Sequence, residues 1–247
     1  MLKLLLKKQL TEIFRNYFYN PKKNTSRSRG STVAMIALFA LLMVGVLGGI
    51  FTFFALMVCD TLVALDLGWL YFTLFSLLAV FLGTFGSVFN TYSGLYLSKD
   101  NDQLLSMPIP VRYIITARLL GVYLMGLMYS GIVIIPANVV YLIVAPFSVS
   151  ALICSVLLAV LISLFVLVLS CLLGWVVAKI SLKLKNKSFI AVLVSLIFFG
   201  AYYFFYFKAQ TLLQELMENA VLYGAIIKSS AYPLYLLGRV AEGDWLA

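Results

Sequence analysis

The sequence predicts an all-α fold, a polytopic membrane helix bundle, and composition is the first of three observations that predict it. Apolar residues make up 64% of the 247 positions and charged residues 11%, with a mean hydropathy of +1.07. Soluble domains are roughly 45 to 50% apolar and about 25% charged. Second, several uncharged runs exceed the ~20 residues that cross a ~30 Å hydrocarbon layer as a helix. Third, these runs are continuous and lack the alternation typical of barrel strands.

Five such runs predict five spans. They lie at Val33–Val58, Leu67–Phe89, Ile114–Ala145, Ser150–Ala178 and Phe189–Phe207. The third and fourth are long enough to tilt or to project beyond the bilayer, and Pro136 predicts a kink in the third. Residues 33–209 are expected to form the bundle. A cytosolic helix and linker at 1–32 would precede it, and an external helical segment at 210–247 would follow.

The distribution of Lys and Arg predicts the orientation of the chain. Of the 18 basic residues, 15 lie before the first span or near the connections that follow the second and fourth spans, namely Lys3, Lys7, Lys8, Arg15, Lys22, Lys23, Arg27, Arg29, Lys99, Arg112, Arg118, Lys179, Lys183, Lys185 and Lys187. Because cytosolic segments carry the excess of such residues, we expect a cytosolic N-terminus and an external tail across a cell membrane. The net charge of +9 follows from this topology and requires no nucleic-acid partner.

The N-terminal segment has the pattern of an amphipathic helix. Within Met1–Asn20, apolar residues recur every three or four positions, and most basic residues take the opposite face. Such a helix suits the inner membrane interface, where it would position the chain. The Lys-, Arg- and Ser-rich stretch Pro21–Thr32 is expected to be a linker.

Missing residue types exclude several classes of function. The chain has no His, and Arg118 is the one Asp, Glu, Lys or Arg within the predicted spans. Ion-driven transporters, intramembrane proteases and acyltransferases use ionisable or metal-binding groups at depth. No G-x-x-x-x-G-K-[ST] loop is present to hold a nucleotide, and Cys59, Cys154 and Cys171 fit no disulfide framework or metal spacing. We expect neither an enzyme nor a cofactor site in this chain.

Three classes of membrane protein stay open on these grounds. They are an ion channel, a structural or regulatory subunit without transport, and a mover of substrate powered by a separate protein. A channel is less well supported, because no ring of charge or filter-like sequence is visible.

Small residues spaced four apart predict where helices approach closely. Such pairs are Gly45 and Gly49 in the first span, Gly126 and Ser130 in the third, and Ser170 and Gly174 in the fourth. For Gly45 and Gly49 we expect a helix-packing role, chiefly within the subunit.

The tail carries a second amphipathic pattern. From Thr211 to Ile227 the apolar residues share one face, until Pro233 ends the pattern. That face consists of Leu213, Leu216, Met217, Ala220, Val221, Gly224 and Ile227. Residues 202–207, all Tyr or Phe, precede it and are typical of an anchor at the headgroup level.

The loop LSKDNDQLLSMPIPVRYIITARLL, between the second and third spans, holds charged and amide side chains in a chain that is poor in both. Asp100–Met107 is long enough for about two turns of helix. Asp100 and Gln103 are spaced as a capping box, and Pro108 with Pro110 would end the helix. A short helix with a leucine pair suits docking into a groove of another protein. A solvated loop would explain the pattern equally well.

The segment YLSKDNDQLLSMPIPVRYIITARLLGVY resembles one found in permease subunits of ABC-2-type exporters. A Lys-Asp pair, a run ending Leu-Leu-Ser-x-Pro-Ile and a basic residue entering the next helix recur there. In that family the element is a coupling helix, here near residues 99–108, which sits in a cleft of the ATP-binding subunit. The matching positions are Lys99, Asp100, Leu104, Leu105, Pro108 and Ile109, with Arg118 where the family often has Lys.

The resemblance implies the permease subunit of an ABC transporter that exports an unidentified substrate from the cytosol. It implies an ABC ATPase partner, which would bind ATP and Mg²⁺, and a homodimer or a second permease half in the lipid bilayer. Helices of the tail form an outer gate in that family, so Leu213, Leu216 and Met217 are gate candidates. An interfacial helix without a gating role would explain the pattern equally well. The family repeat has six spans, and YPLYLLGRVAEGDWLA resembles the entry to the sixth, so we expect the protein to continue beyond Ala247. The importer-type Glu-Ala-Ala loop is absent, which favours export.

Overall fold

The computed structural model describes residues 2–14, 19–20, 25–96, 106, 109–146, 148–183 and 218–244, with isolated positions at 196, 199–200, 203–204, 207–208, 211 and 215. Its helices are α1 Leu2–Ile13, α2 Arg29–Ala64, α3 Gly68–Tyr96, α4 Val111–Val144, α5 Val149–Lys183, α6 Ala220–Ser230 and α7 Tyr232–Ala241. The helices α2 to α5 are each long and apolar enough to cross a membrane, and α6 with α7 would add a fifth span if that bent pair is counted as one. The predicted all-α polytopic bundle is confirmed.

The first four predicted spans correspond to α2, α3, α4 and α5, each of which is longer than its predicted span. The helix α2 begins at Arg29, because the side chain of Ser28 accepts a hydrogen bond from the backbone N–H of Ser31 and caps the helix. The helix α4 continues through Pro136. The predicted fifth span, Phe189–Phe207, falls mostly outside the described residues and stays a prediction.

The N-terminal segment differs in detail from its predicted form. The helix α1 ends at Ile13 and packs against α4. Two short strands, β1 Tyr19–Asn20 and β2 Thr25–Ser26, then pair antiparallel. The expected linker Pro21–Thr32 is therefore shorter than predicted, since it contains β2 and the first turn of α2.

The helix α3 lies at the centre of the bundle and contacts α4, α5 and α7. Its Tyr71, Phe72 and Phe75 are among the largest fully buried side chains, and the ring centroids of Tyr71 and Phe75 are 4.7 Å apart. Leu62 of α2 and Ala241 of α7 belong to the same apolar cluster. The core thus lies near the turn between α2 and α3.

The two halves of α2 have different surroundings. None of the residues from Arg29 to Leu47 is buried, although most of them are apolar. Further along the helix, Ala55, Val58 and Leu62 are buried against the bundle. The helix is π-helical over Leu41–Leu47, where the exposed half ends.

The tail forms a bent pair of helices. The helix α6 ends at Ser230, slightly beyond the predicted end at Ile227, and α7 turns away from it by 115°. The helix α6 ends three residues before Pro233, which lies in the first turn of α7. Proline is tolerated there because the first N–H groups of a helix have no intrahelical partner.

Candidate functional site

Glycines let α3, α4 and α5 approach each other closely. A Cβ built on Gly83 of α3 would lie 2.9 Å from Val166 of α5 and 3.0 Å from Ser130 of α4. A Cβ on Gly126 of α4 would lie 3.0 Å from the same valine. Contacts this short leave no room for a side chain, which is how small residues bring membrane helices together. The spaced pair Gly126 and Ser130 therefore lies at a helix contact, as its spacing predicted.

Hydrogen bonds join the same three helices. They link Ser87 to Ser170 at 2.6 Å, the Tyr71 hydroxyl to the Ala137 carbonyl at 2.8 Å, the Asn138 amide to the Ser155 carbonyl at 2.9 Å, and the Tyr96 hydroxyl to the Cys171 carbonyl at 3.0 Å. Because the hydrocarbon layer supplies no water, polar groups there need partners within the protein.

We call the buried polar residues of these three helices the polar seam. It consists of Thr73, Ser76, Thr84, Ser87 and Thr91 of α3, Ser130 and Asn138 of α4, and Ser155, Ser163 and Ser170 of α5. Three of its atoms have no hydrogen-bond partner among the described residues: Ser76 Oγ, Thr84 Oγ1 and Asn138 Oδ1. An unpartnered polar atom is costly in an apolar layer. The polar seam keeps three hydrogen-bonding atoms without a partner among the described residues.

The helices α6 and α7 form an arm that covers the beginning of α3. The hydroxyl of Thr73 donates a hydrogen bond to the carbonyl of Leu234 at 3.0 Å, and the rings of Trp69 and Tyr235 meet edge to face at 4.9 Å. A Cβ on Gly238 would overlap the carbonyl oxygen of Trp69, so the two backbones touch. The arm thus packs directly on the helix at the centre of the bundle.

An acidic side chain, Glu242, lies where the arm ends. Its carboxyl group is in contact with Gly68, the first residue of α3. The pKa of Glu242 is raised to about 7, chiefly by burial and in addition by the nearby carboxylates of Asp244 and Asp66. The positive charge of Arg239 and the backbone N–H of Trp69 act in the opposite direction. Burial has the largest effect.

Most of the site residues expected from the sequence fall outside the described residues. This applies to Lys99, Asp100, Leu104, Leu105 and Pro108 of the coupling segment and to the gate candidates Leu213, Leu216 and Met217. Ile109 is half-buried immediately before α4. Arg118 is buried in α4 with 7% of its surface exposed.

Gly45 and Gly49 are exposed on α2. A Cβ on Gly45 would meet only Leu41 of its own helix, at 3.8 Å, and a Cβ on Gly49 would meet nothing within 4 Å. Among the described residues, no atom of another helix lies within 4 Å of either Cβ position. The packing role of Gly45 and Gly49 stays a prediction. The open space around them leaves room for contact with another chain.

The sequence carries a signal for the polar seam that is separate from the motifs described above. On α3, the residues Thr73, Ser76, Thr84, Ser87 and Thr91 recur near helical spacing, so one face of an apolar span is polar. Glu242 had no such signal. A single acid after an apolar helix is ordinary, and its burial depends on where the arm docks.

The described residues contain no group of three or more His, Cys, Asp or Glu side chains that would hold a metal ion. A scan of protein-family models matched none, and searches of curated proteins and of solved structures found no significant match.

Proposed function

We propose that the chain is the permease subunit of an ATP-driven ABC exporter, which moves a substrate out of the cytosol with energy from a separate ATPase subunit. The resemblance of the segment from Tyr96 to Tyr123 to ABC-2-type permeases suggested this function. The bundle of membrane-type helices and the polar seam inside it support the proposal, since a substrate path needs both.

The observation that carries the proposal is the arrangement of helices around the predicted coupling segment. This segment connects the last residue of α3, Tyr96, to the first of α4, Val111. Near the same end of the bundle, α1 packs against α4, and Gln9 of α1 approaches Gly94 of α3. A partner that docks on this segment would act on the ends of the two helices that line the polar seam.

This arrangement gives ATP hydrolysis in a partner a direct mechanical route into the bundle. The ATPase would bind ATP and Mg²⁺, and its docked surface would move with its nucleotide state. A partner biases an equilibrium only through different contacts with the two states. Contacts at the coupling segment would shift α3 against α4, and the hydrogen bonds of the polar seam would open and close accordingly.

The same proposal includes a second permease half, either another copy of this chain or a related chain. The exposed half of α2 supports a helix partner from outside the described chain. The segment that holds Leu213, Leu216 and Met217 precedes the arm on α3, which suits a gate at the end of the bundle opposite the coupling segment.

The docking step is tested with a double change of Leu104→Asp and Leu105→Asp. Each new carboxylate would enter a desolvated groove at a cost on the order of several kcal/mol. The tagged chain, extracted in mild detergent, is expected to lose a co-purifying subunit that carries a nucleotide-binding G-x-x-x-x-G-K-[ST] loop. Mass spectrometry of the purified complex would measure that loss.

The matched control is Leu104→Ile with Leu105→Ile, which keeps the apolar volume and should keep the ATPase. Retention of the full amount of ATPase by the Asp variant would contradict the docking role. Absence of such an ATPase from the unaltered chain would instead favour a structural subunit or a channel.

A further inference from the structure

Glu242 caps the N-terminus of α3, which has no capping side chain of its own. The residue before α3, Leu67, has no side chain that can accept a hydrogen bond from the first turn. The Glu242 carboxyl, which comes from the end of α7, contacts Gly68 and accepts from the backbone N–H of Trp69. Helix α3 is therefore capped by another element, and the cap is present only while α7 is docked.

Acidic side chains outnumber basic ones around Glu242. Asp66 faces it from the turn before α3, and Arg239 and Asp244 lie beside it at the end of α7. Arg239 pairs with Asp244, so the nearest positive charge is shared with another carboxylate. The phenol of Tyr141 from α4 also interacts with the Glu242 carboxylate. On α6, the ammonium of Lys228 lies over the ring of Tyr235. Helix α5 contributes the uncharged Ser150 near Gly243.

We propose that Glu242 is a proton-controlled latch, which holds α7 against α3 when its carboxyl is protonated and releases α7 when the carboxyl ionises. This inference does not rest on the proposed transport function, because it concerns only the docking of α7 on α3.

The direction of the effect follows from the environment of the carboxyl. Burial raises its pKa to about 7 when α7 is docked, whereas the ordinary value is 4.5. The docked state therefore binds the proton more tightly than the released state. Docking is fully favoured at acidic pH and weakens as the pH rises through the range between these two values. Above about pH 7 the weakening is complete.

The latch is tested by the reactivity of a buried position on α7. Ala241 is fully buried, whereas its neighbour Val240 is 37% exposed. Ala241→Cys and Val240→Cys would be made separately in the full chain with its three cysteines changed to Ala, and each protein would be placed in lipid nanodiscs. The rate of reaction with a polar maleimide is measured from about pH 5.5 to about pH 8.5. Division by the rate at position 240 removes the effect of thiol ionisation, which is common to both sites.

We expect the ratio of the two rates to rise by roughly tenfold or more across this range. In the Glu242→Gln background the ratio should stay at its low acidic value, because the amide is always neutral and still accepts from the N–H of Trp69. A ratio that does not change with pH in the unaltered Glu242 background would overturn the proposal. Equal pH dependence with Gln at position 242 would also overturn it.

Two further measurements keep the test independent of the cysteine variants. Amide hydrogen exchange of Tyr232–Ala241 in the unaltered chain, corrected for intrinsic exchange rates, should show the same loss of protection as the pH rises. The change Asp244→Asn should move the midpoint to lower pH, since it removes a facing carboxylate and leaves Arg239 to Glu242. An unchanged midpoint would contradict control of the latch by its acidic neighbours.

Discussion

The first half of α2 and the α3–α4–α5 unit are both built mainly from apolar residues, but they are packed very differently. Over its most apolar 18 residues, α2 has 6% of them buried inside the chain, whereas α3, α4 and α5 have 50%, 39% and 33%. The most buried of these spans, α3, is also the least apolar of the four. In a membrane, apolar character decides which segments enter the bilayer, while small and polar residues decide which helices pack together.

The comparison also shows that small-residue spacing is not enough for packing. Gly83 and Gly126 each face Val166, whose branched side chain fills the space they leave. Gly45 and Gly49 have an equivalent small-residue spacing but meet no side chain of another helix among the described residues. A glycine pair therefore becomes a contact only where a facing helix supplies a side chain of matching volume.

The largest expected effect comes from filling the space at Gly83. Gly83→Val would force two methyl groups against Val166 and Ser130, and overpacking of this kind costs typically about 1–3 kcal/mol. Reversible unfolding in mixed detergent micelles measures the change in free energy. Gly49→Val is the control, because open space surrounds that position. Equal losses in the two variants would break the distinction between the two regions.

A smaller effect is expected from the hydrogen bond between Ser87 and Ser170. A double-mutant cycle with Ser87→Ala and Ser170→Ala should give a coupling energy of about 0.6 kcal/mol, the average for side-chain hydrogen bonds between membrane helices. In the matched cycle, Ser87→Ala is combined with Thr52→Val. The Thr52 hydroxyl bonds to the carbonyl of Gly48 in its own helix, so that coupling should be near zero. Identical couplings would show that Ser87 and Ser170 act separately.

The smallest effect on unfolding is expected at the exposed face of α2. Gly45→Ile with Gly49→Ile should change the free energy of unfolding of the single chain by no more than about 0.5 kcal/mol, as at other exposed positions. Self-association, measured by energy transfer between labelled copies in bilayers, should weaken if this face meets a second copy. Unchanged association would assign the face to lipid and sharpen the contrast with Gly83.

Much of the fold was predictable from the sequence, because span length and composition follow directly from the thickness of the bilayer. The helix boundaries were less predictable. Helix α2 starts at Arg29 because Ser28 caps it, and a charged residue near the end of an apolar run does not by itself mark where the helix begins or ends. The packing of α7 on α3 was not predictable, because it depends on a contact between Gly238 and Trp69, two residues that are far apart in the sequence. The half-buried position of Glu242 was hidden for the same reason.

The candidate site divides in the same way. Local patterns left a docking helix and a solvated loop equally open, and the family resemblance favoured docking through Leu104 and Leu105. That segment lies outside the described residues, so the docking role stays a prediction. The polar seam was readable as helical periodicity on α3, and the spacing of Ser170 and Gly174 predicted a helix contact on α5. The pairing of Ser87 with Ser170 and of Asn138 with Ser155 was not readable. Register between helices is set by side-chain volumes on both, which one helix alone does not reveal.

The valine between the two glycines also limits how this protein can evolve. Val166 lies within 3.0 Å of the Cβ positions of both Gly83 and Gly126, so the three positions share one volume. A larger residue at position 83 or 126 fits only after the side chain at position 166 has become smaller. In the same way, the space between the two glycines limits the size of the side chain at position 166. Among descendants of this sequence the three positions should therefore change together, although residue 83 and residue 166 lie on different helices.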